Sequence, residues 1–180
     1  NPIINTVTCL LIILGGIGYI VWWDVIRVSK NIPKKKLKAF SGLTLHSKIA
    51  LWTTGILIFG GMLLILLFEY RNPETIGNYN LFDKMQMSLF QSVTTRTAGF
   101  ITIPQDKLTN PSALISILLM FLGGSPVGTA GGVKTVTIAV LLCSAYATIT
   151  NRDEVELFHR TISQEAVRKS VAVVATSFCI

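Results

Sequence analysis

The chain alternates long apolar runs with short charged breaks. Ile3 to Trp23 supplies about twenty apolar or small residues, enough for one helix to cross a hydrocarbon core of roughly 30 Å. Trp22 and Trp23 close this run as interfacial aromatics do, and Arg27 and Lys30 follow. A basic loop through Pro33 to Lys48 leads into a second expected span, Ile49 to Phe68. From Asn80 to Val93 the apolar residues Phe82, Met85, Leu89, Phe90 and Val93 recur at helical spacing. Asn80, with Asp83 three residues on, reads as the cap of that helix. At about 13 residues it reaches only about 20 Å, too short to cross. A re-entrant half-helix and a surface amphipathic helix fit the periodicity equally well.

Pro111 to Thr150 is a third apolar run, and one straight helix over it would be roughly 60 Å long, twice the hydrocarbon thickness. It is interrupted by Gly123-Gly124-Ser125-Pro126-Val127-Gly128-Thr129-Ala130-Gly131-Gly132. Five glycines and a proline in ten residues do not continue a regular helix. Irregular backbone at membrane depth persists only where protein buries it or water bathes it. The expectation is a broken helix beside an aqueous path. Beyond it, Asn151 with Glu154 reads as a capping box opening a short amphipathic helix with Val155, Phe158 and Ile162 on one face. A fourth span is expected from Arg168 and Val171 onward.

Composition supports a bilayer as solvent: 51% apolar residues, 14% charged and a mean hydropathy of +0.59. Soluble domains carry about 25% charge. The net charge of +7 is unevenly placed. Arg27, Lys30, Lys34, Lys35, Lys36, Lys38 and Lys48 fall in one short loop, and Arg152, Arg160, Arg168 and Lys169 in another, both beside spans. That is the positive-inside pattern and sets both loops on the cytoplasmic face, without invoking nucleic acid. The first residue is Asn1 and the last lies inside an apolar run, so an internal segment of a longer protein is expected. Asn1–Trp23 lacks the basic start of a signal peptide. Cys9, Cys143 and Cys179 share no metal-ligand spacing, and His46 and His159 stand alone, so neither a metal site nor an enzyme is expected.

Two motifs carry chemistry. Gly128-Thr129-Ala130-Gly131-Gly132-Val133-Lys134-Thr135 approaches a phosphate-binding loop, but Val133 replaces the required glycine and an apolar helix precedes it. Phe90-Gln91-Ser92-Val93-Thr94-Thr95-Arg96-Thr97-Ala98-Gly99-Phe100 joins a short helix to small residues, threonines and one glycine. Backbone carbonyls that replace an ion's water shell need such a segment, with glycine where the chain is strained. The negative C-terminal end of the preceding helix favours a cation there. An ordinary polar turn has the same composition.

The order of span, short helix, Ser-Val-Thr-Thr-Arg-Thr-Ala-Gly-Phe and broken span resembles the third repeat of the Trk/Ktr/HKT superfamily of potassium transporters, closest to the Ktr-type membrane subunit. Ile17-Gly18-Tyr19-Ile20-Val21-Trp22 matches the end of the preceding repeat. The resemblance implies an all-α membrane fold: an outer span, a re-entrant pore helix with filter loop, and an inner span broken by a Gly-rich intramembrane loop. Its divisions would be 1–30 as the end of one repeat, 31–48 as a basic cytoplasmic loop, 49–150 as the repeat itself, 151–167 as a cytoplasmic amphipathic helix, and 168–180 as the next span's start. It implies a pore-forming potassium uptake subunit with Thr95, Arg96, Thr97, Ala98 and Gly99 as the filter. The gate would be Gly123, Gly124, Ser125, Pro126, Val127, Gly128, Thr129, Ala130, Gly131, Gly132 and Lys134. No cofactor is implied beyond the transported potassium, with sodium or protons as coupling ions. A cytoplasmic nucleotide-binding regulatory subunit, a second copy of the full-length subunit and the lipid bilayer are the implied partners. A homotetrameric channel with one filter per chain, and a non-conducting assembly or receptor subunit, are the alternatives. Arg96 beside a cation path has two expected dispositions: turned away onto a carboxylate or carbonyls, or reaching to the outer water.

Overall fold

The computed structural model describes residues 2–30, 42–96, 98–126, 128, 131–151, 155–157 and 160–179. Seven helices account for most of them: α1 (Pro2–Gly16), α2 (Tyr19–Ser29), α3 (Leu45–Glu69), α4 (Leu81–Thr94), α5 (Asn110–Phe121), α6 (Thr135–Ile149) and α7 (Gln164–Cys179). A short hairpin, β1 (Glu156–Leu157) with β2 (Arg160–Thr161), precedes α7. At the centre is α3, which packs against α4, α5 and α6, while α1 lies on α4 and α2 touches α3.

Among the described residues α3 alone is both long and apolar enough to cross a membrane as one helix. Its 25 residues extend about 38 Å. Its first turn is held by Thr44, whose Oγ1 accepts from the Ser47 amide at 3.3 Å. Asp24 of α2 adds to this end, because its Oδ2 accepts from the Thr44 amide (2.7 Å) and from Thr44 Oγ1 (2.8 Å). Arg27 pairs with the other carboxylate oxygen of Asp24. At the far end the fully buried carboxylate of Glu69 accepts from Thr75 Oγ1 (2.6 Å), Asn72 Nδ2 (2.8 Å), and the amide and hydroxyl of Thr109 (2.9 and 2.6 Å). A charge this buried requires several donors, and here they tie α3 to the start of α5.

Three expectations need correction. The run from Ile3 to Trp23 is not one straight helix: α1 ends at Gly16 and the chain turns by 94° into α2. Glycines 15, 16 and 18 weaken the helix, and Gly18 takes a φ of +84°, which a side chain resists. The indole Nε1 of Trp22 donates back to the Leu14 carbonyl at 3.0 Å across the bend. Among its described residues the stretch 151–167 does not form the expected single amphipathic helix: Asn151 (φ +50°) follows α6, β1 and β2 pair Glu156 with Thr161 and Leu157 with Arg160, and only the last four residues are helical, as the start of α7. Alternating Val155-Glu156-Leu157 and Thr161-Ile162 read better as strand than as helix. The Ile162 amide closes the hairpin on the Val155 carbonyl at 2.8 Å. Glu154 and Phe158 fall outside the described residues, as do residues 31–41 of the basic loop. Finally, α7 starts at Gln164 rather than at 168, with Ser163 Oγ accepting from the Ala166 amide at 3.3 Å.

The short helix from Asn80 is found as α4, with Asn80 at the N-cap position but without a side-chain cap bond. Its expected apolar stripe is divided: Phe90 and Val93 are buried, whereas Phe82 and Met85 are exposed. Ser88, Gln91 and Ser92 are fully buried instead, which turns attention to its C-terminal end.

Candidate functional site

The loop after α4 is fixed by its own backbone. The amides of Thr95 and Arg96 donate to Gln91 and Val93 carbonyls (3.1 and 3.3 Å), so helical winding continues to Arg96. The Thr94 carbonyl then accepts from both Ala98 (3.0 Å) and Gly99 (3.2 Å). Thr94 Oγ1 reaches across the loop to the Phe100 carbonyl at 2.7 Å. Gly99 has a φ of +80° and open space where a Cβ would stand, so conformation, not crowding, demands glycine there. Among the described residues nothing donates a hydrogen bond to the carbonyls of Thr95, Arg96, Ala98 or Gly99. Thr97 lies outside the described residues.

Behind this loop the amides of Gln91 and Gln105 bond reciprocally at 2.8 and 3.1 Å. Gln105 Nε2 also donates to the Ile103 carbonyl at 2.8 Å, which anchors the returning chain. Ser92 Oγ donates to the Ile58 carbonyl at 2.9 Å and fastens α4 to α3. Among the described residues the amides of Thr95, Arg96, Ala98 and Gly99 are therefore engaged while their carbonyls are not.

The second loop joins α5 to α6, and its two arms are closed at the base. The Val133 amide donates to the Phe121 carbonyl (3.0 Å) and the Thr135 amide to the Gly124 carbonyl (3.1 Å). A Cβ on Gly123 would fall 1.6 Å from the Gly131 oxygen, so the arms touch backbone to backbone. The tip rests on the bend after α1: the Ser125 amide donates to the Gly16 carbonyl at 3.0 Å. A Cβ on Gly128 would stand 2.9 Å from that same oxygen. Lys134 is half-buried at the N-cap position of α6. Val127, Thr129 and Ala130 lie outside the described residues, as Thr97 does.

The two loops meet. Arg96 is only 8% exposed, and its Nη2 donates to the Gly123 carbonyl at 3.3 Å. Of its two expected anchorages, a backbone carbonyl rather than the outer water is observed. Between the loops lies a cavity of about 130 Å³, lined in part by Gly15 and Gly16 of α1, Thr54 of α3, Arg96, Ala98 and Gly124.

Compared with known families, all of residues 1–180 match the TrkH family model, described as cation transport protein. The chain belongs to the TrkH family. Among TrkH-type relatives it is 36% identical over 180 residues to the Ktr system potassium uptake protein B of Bacillus subtilis, which matches 100% of this chain and 38% of that one. It is also 36% identical over 182 residues to the potassium/sodium uptake protein NtpJ of Enterococcus hirae, again covering 38% of it. The chain thus spans little more than a third of these relatives. The crystal structure of the potassium transporter TrkH from Vibrio parahaemolyticus superposes with a TM-score of 0.70 over 97% of this chain and 36% of that one, at 15% identity. That likeness establishes the fold.

Sequence reasoning missed Asp24, Glu69, Gln91 and Gln105 in this TrkH-family chain. Gln91 lies among Ser88, Ser92 and Thr94, so its polarity did not set it apart in the sequence. Asp24 and Glu69 offered no signal beyond being acidic residues at the ends of apolar runs.

Proposed function

We propose that this chain forms one quarter of a potassium pathway in a membrane-embedded uptake subunit. The filter is the backbone of Thr95–Gly99, α4 is a re-entrant pore helix, and the Gly123–Gly132 loop with Lys134 is the intramembrane gate. The carrying observation is the set of carbonyls at Thr95, Arg96, Ala98 and Gly99 that accept nothing from the described residues, just past the C-terminal end of α4. A dehydrated cation needs such oxygens, and the helix end adds partial negative charge. The one cationic side chain in the segment donates to the Gly123 carbonyl, so Arg96 offers its own carbonyl to the ion while its charge is held at the neighbouring loop.

The relatives' names support potassium as the ion, and the potassium/sodium uptake protein supports sodium as a coupling ion. Their greater length supports further repeats on the same chain rather than a one-filter tetramer. In this reading the basic loops face the cytoplasm of a cell-membrane protein. A nucleotide-binding regulatory subunit and a second full-length copy complete the assembly. The test is potassium uptake by potassium-starved cells carrying the full-length protein with Gly99→Ser. Loss of uptake or of preference over sodium is expected, and unchanged uptake overturns the filter. Deleting Ser125–Ala130 should raise flux, whereas unchanged or abolished flux with normal folding removes the gate.

A further inference from the structure

Arg96 and Thr54 are both more than nine-tenths buried and both line the cavity between the two loops. Each also carries a buried polar atom without a partner among the described residues, Nε of Arg96 and Oγ1 of Thr54. A guanidinium keeps its charge and offers donors only, while a threonine hydroxyl both donates and accepts. Two such groups left unmade beside one void are the circumstance in which internal water is held. The cavity of about 130 Å³ has room for several waters at about 30 Å³ each. An anion would also suit a guanidinium. However, Gly15 and Gly16 bring the C-terminal end of α1 to the same wall, where partial negative charge gathers.

We infer that this cavity holds water bridging Arg96 Nε to Thr54 Oγ1, and that Thr54 is a positioning residue for the filter. Arg96 is then held at two points: directly at the Gly123 carbonyl, and through water to α3. With its side chain fixed at both, the backbone of Arg96 keeps its carbonyl in place beside those of Thr95 and Ala98. Thr54 acts without touching the ion. The inference rests on the filter reading above.

The test uses the full-length subunit in its membrane complex and compares Thr54→Val, which keeps the volume and removes the hydroxyl, with Thr54→Ser, which retains it. In competitive uptake Thr54→Val should lose about tenfold of the preference for potassium over sodium, the scale of one hydrogen bond to a charged group. Thr54→Ser should keep the wild-type preference. Unchanged preference in Thr54→Val overturns the bridge, and so does an equal loss in both variants, which would indicate packing. Should Thr54→Val fail to reach the membrane, a map of the wild-type protein that resolves ordered water decides: a dry cavity or a halide at this position overturns the inference. Gly99→Ser run alongside separates the two readings. If it keeps wild-type preference, the filter itself is lost; if it loses preference while Thr54→Val does not, only the bridge is.

Discussion

Gln91 and Gln105 exchange hydrogen bonds in both directions, at 2.8 and 3.1 Å, and so clamp the chain leaving the Thr95–Gly99 segment to the helix that enters it. Gln91 is fully buried, so removing its partner strands an amide without solvent. Gln105→Leu should destabilise the protein by about 1–3 kcal/mol. Gln91→Leu with Gln105→Leu should cost less than the two single changes added together, because neither side-chain amide is then left facing a missing partner, although the Ile103 carbonyl loses its donor in both Gln105 variants. Thermal unfolding of the detergent-solubilised full-length protein gives the three values, and strict additivity would show that the pair is not coupled.

Among the described residues the carboxylate of Glu69 is met by uncharged donors, from Asn72, Thr75, Thr109 and Ser112. Glu69→Gln keeps the shape but turns an NH₂ group toward donors that need an acceptor. Hydrogen bonds to a charged group contribute about 1.5–3 kcal/mol each, so a loss of at least about 2 kcal/mol is expected. Thr75→Val and Thr109→Val should each cost less than Glu69→Gln. Urea or thermal unfolding of the three variants establishes the order, and the reverse order would contradict the geometry.

Asp24 receives the backbone amide and hydroxyl of Thr44, residues separated by the basic loop. Asp24→Leu leaves the start of α3 with one fewer acceptor, a loss of about 1 kcal/mol on the scale of helix caps. Amide hydrogen exchange over Thr44–Lys48 should quicken while that of Ile58–Ile65 stays slow. Equal exchange in both segments would mean that α2 does not hold this end.

Gly128 touches the Gly16 carbonyl so closely that a valine side chain cannot be placed there without moving the loop. Gly128→Val should lift the tip from α1 and raise potassium flux under the proposed gate, with protein amount unchanged. A flux equal to wild type would detach this contact from gating.

What the sequence revealed depended on whether the signal was local. The break between α5 and α6 was legible because five glycines and Pro126 interrupt a run too long for one helix. The glycine at Gly99 was legible because it follows a short helix and a threonine-rich segment. The 94° turn after Gly16 was hidden inside a run whose hydropathy suits a span, since hydropathy carries no direction. The spacing of Asn151 and Glu154 reads as a helix start, and it drew notice away from the alternating residues that pair as β1 and β2. Arg96 reaches a carbonyl 27 residues away, a distance at which no periodic pattern speaks.

The bond from the Ser125 amide to the Gly16 carbonyl also has a consequence for how the protein is made. Synthesis runs from the N-terminus, so the bend after α1 emerges well before the loop that will lean on it. The loop can take its resting place only after both segments are made, and Gly16 is the earlier of the two partners. Changes at Gly15 or Gly16 would pass to the loop during maturation, as surely as changes within the loop itself.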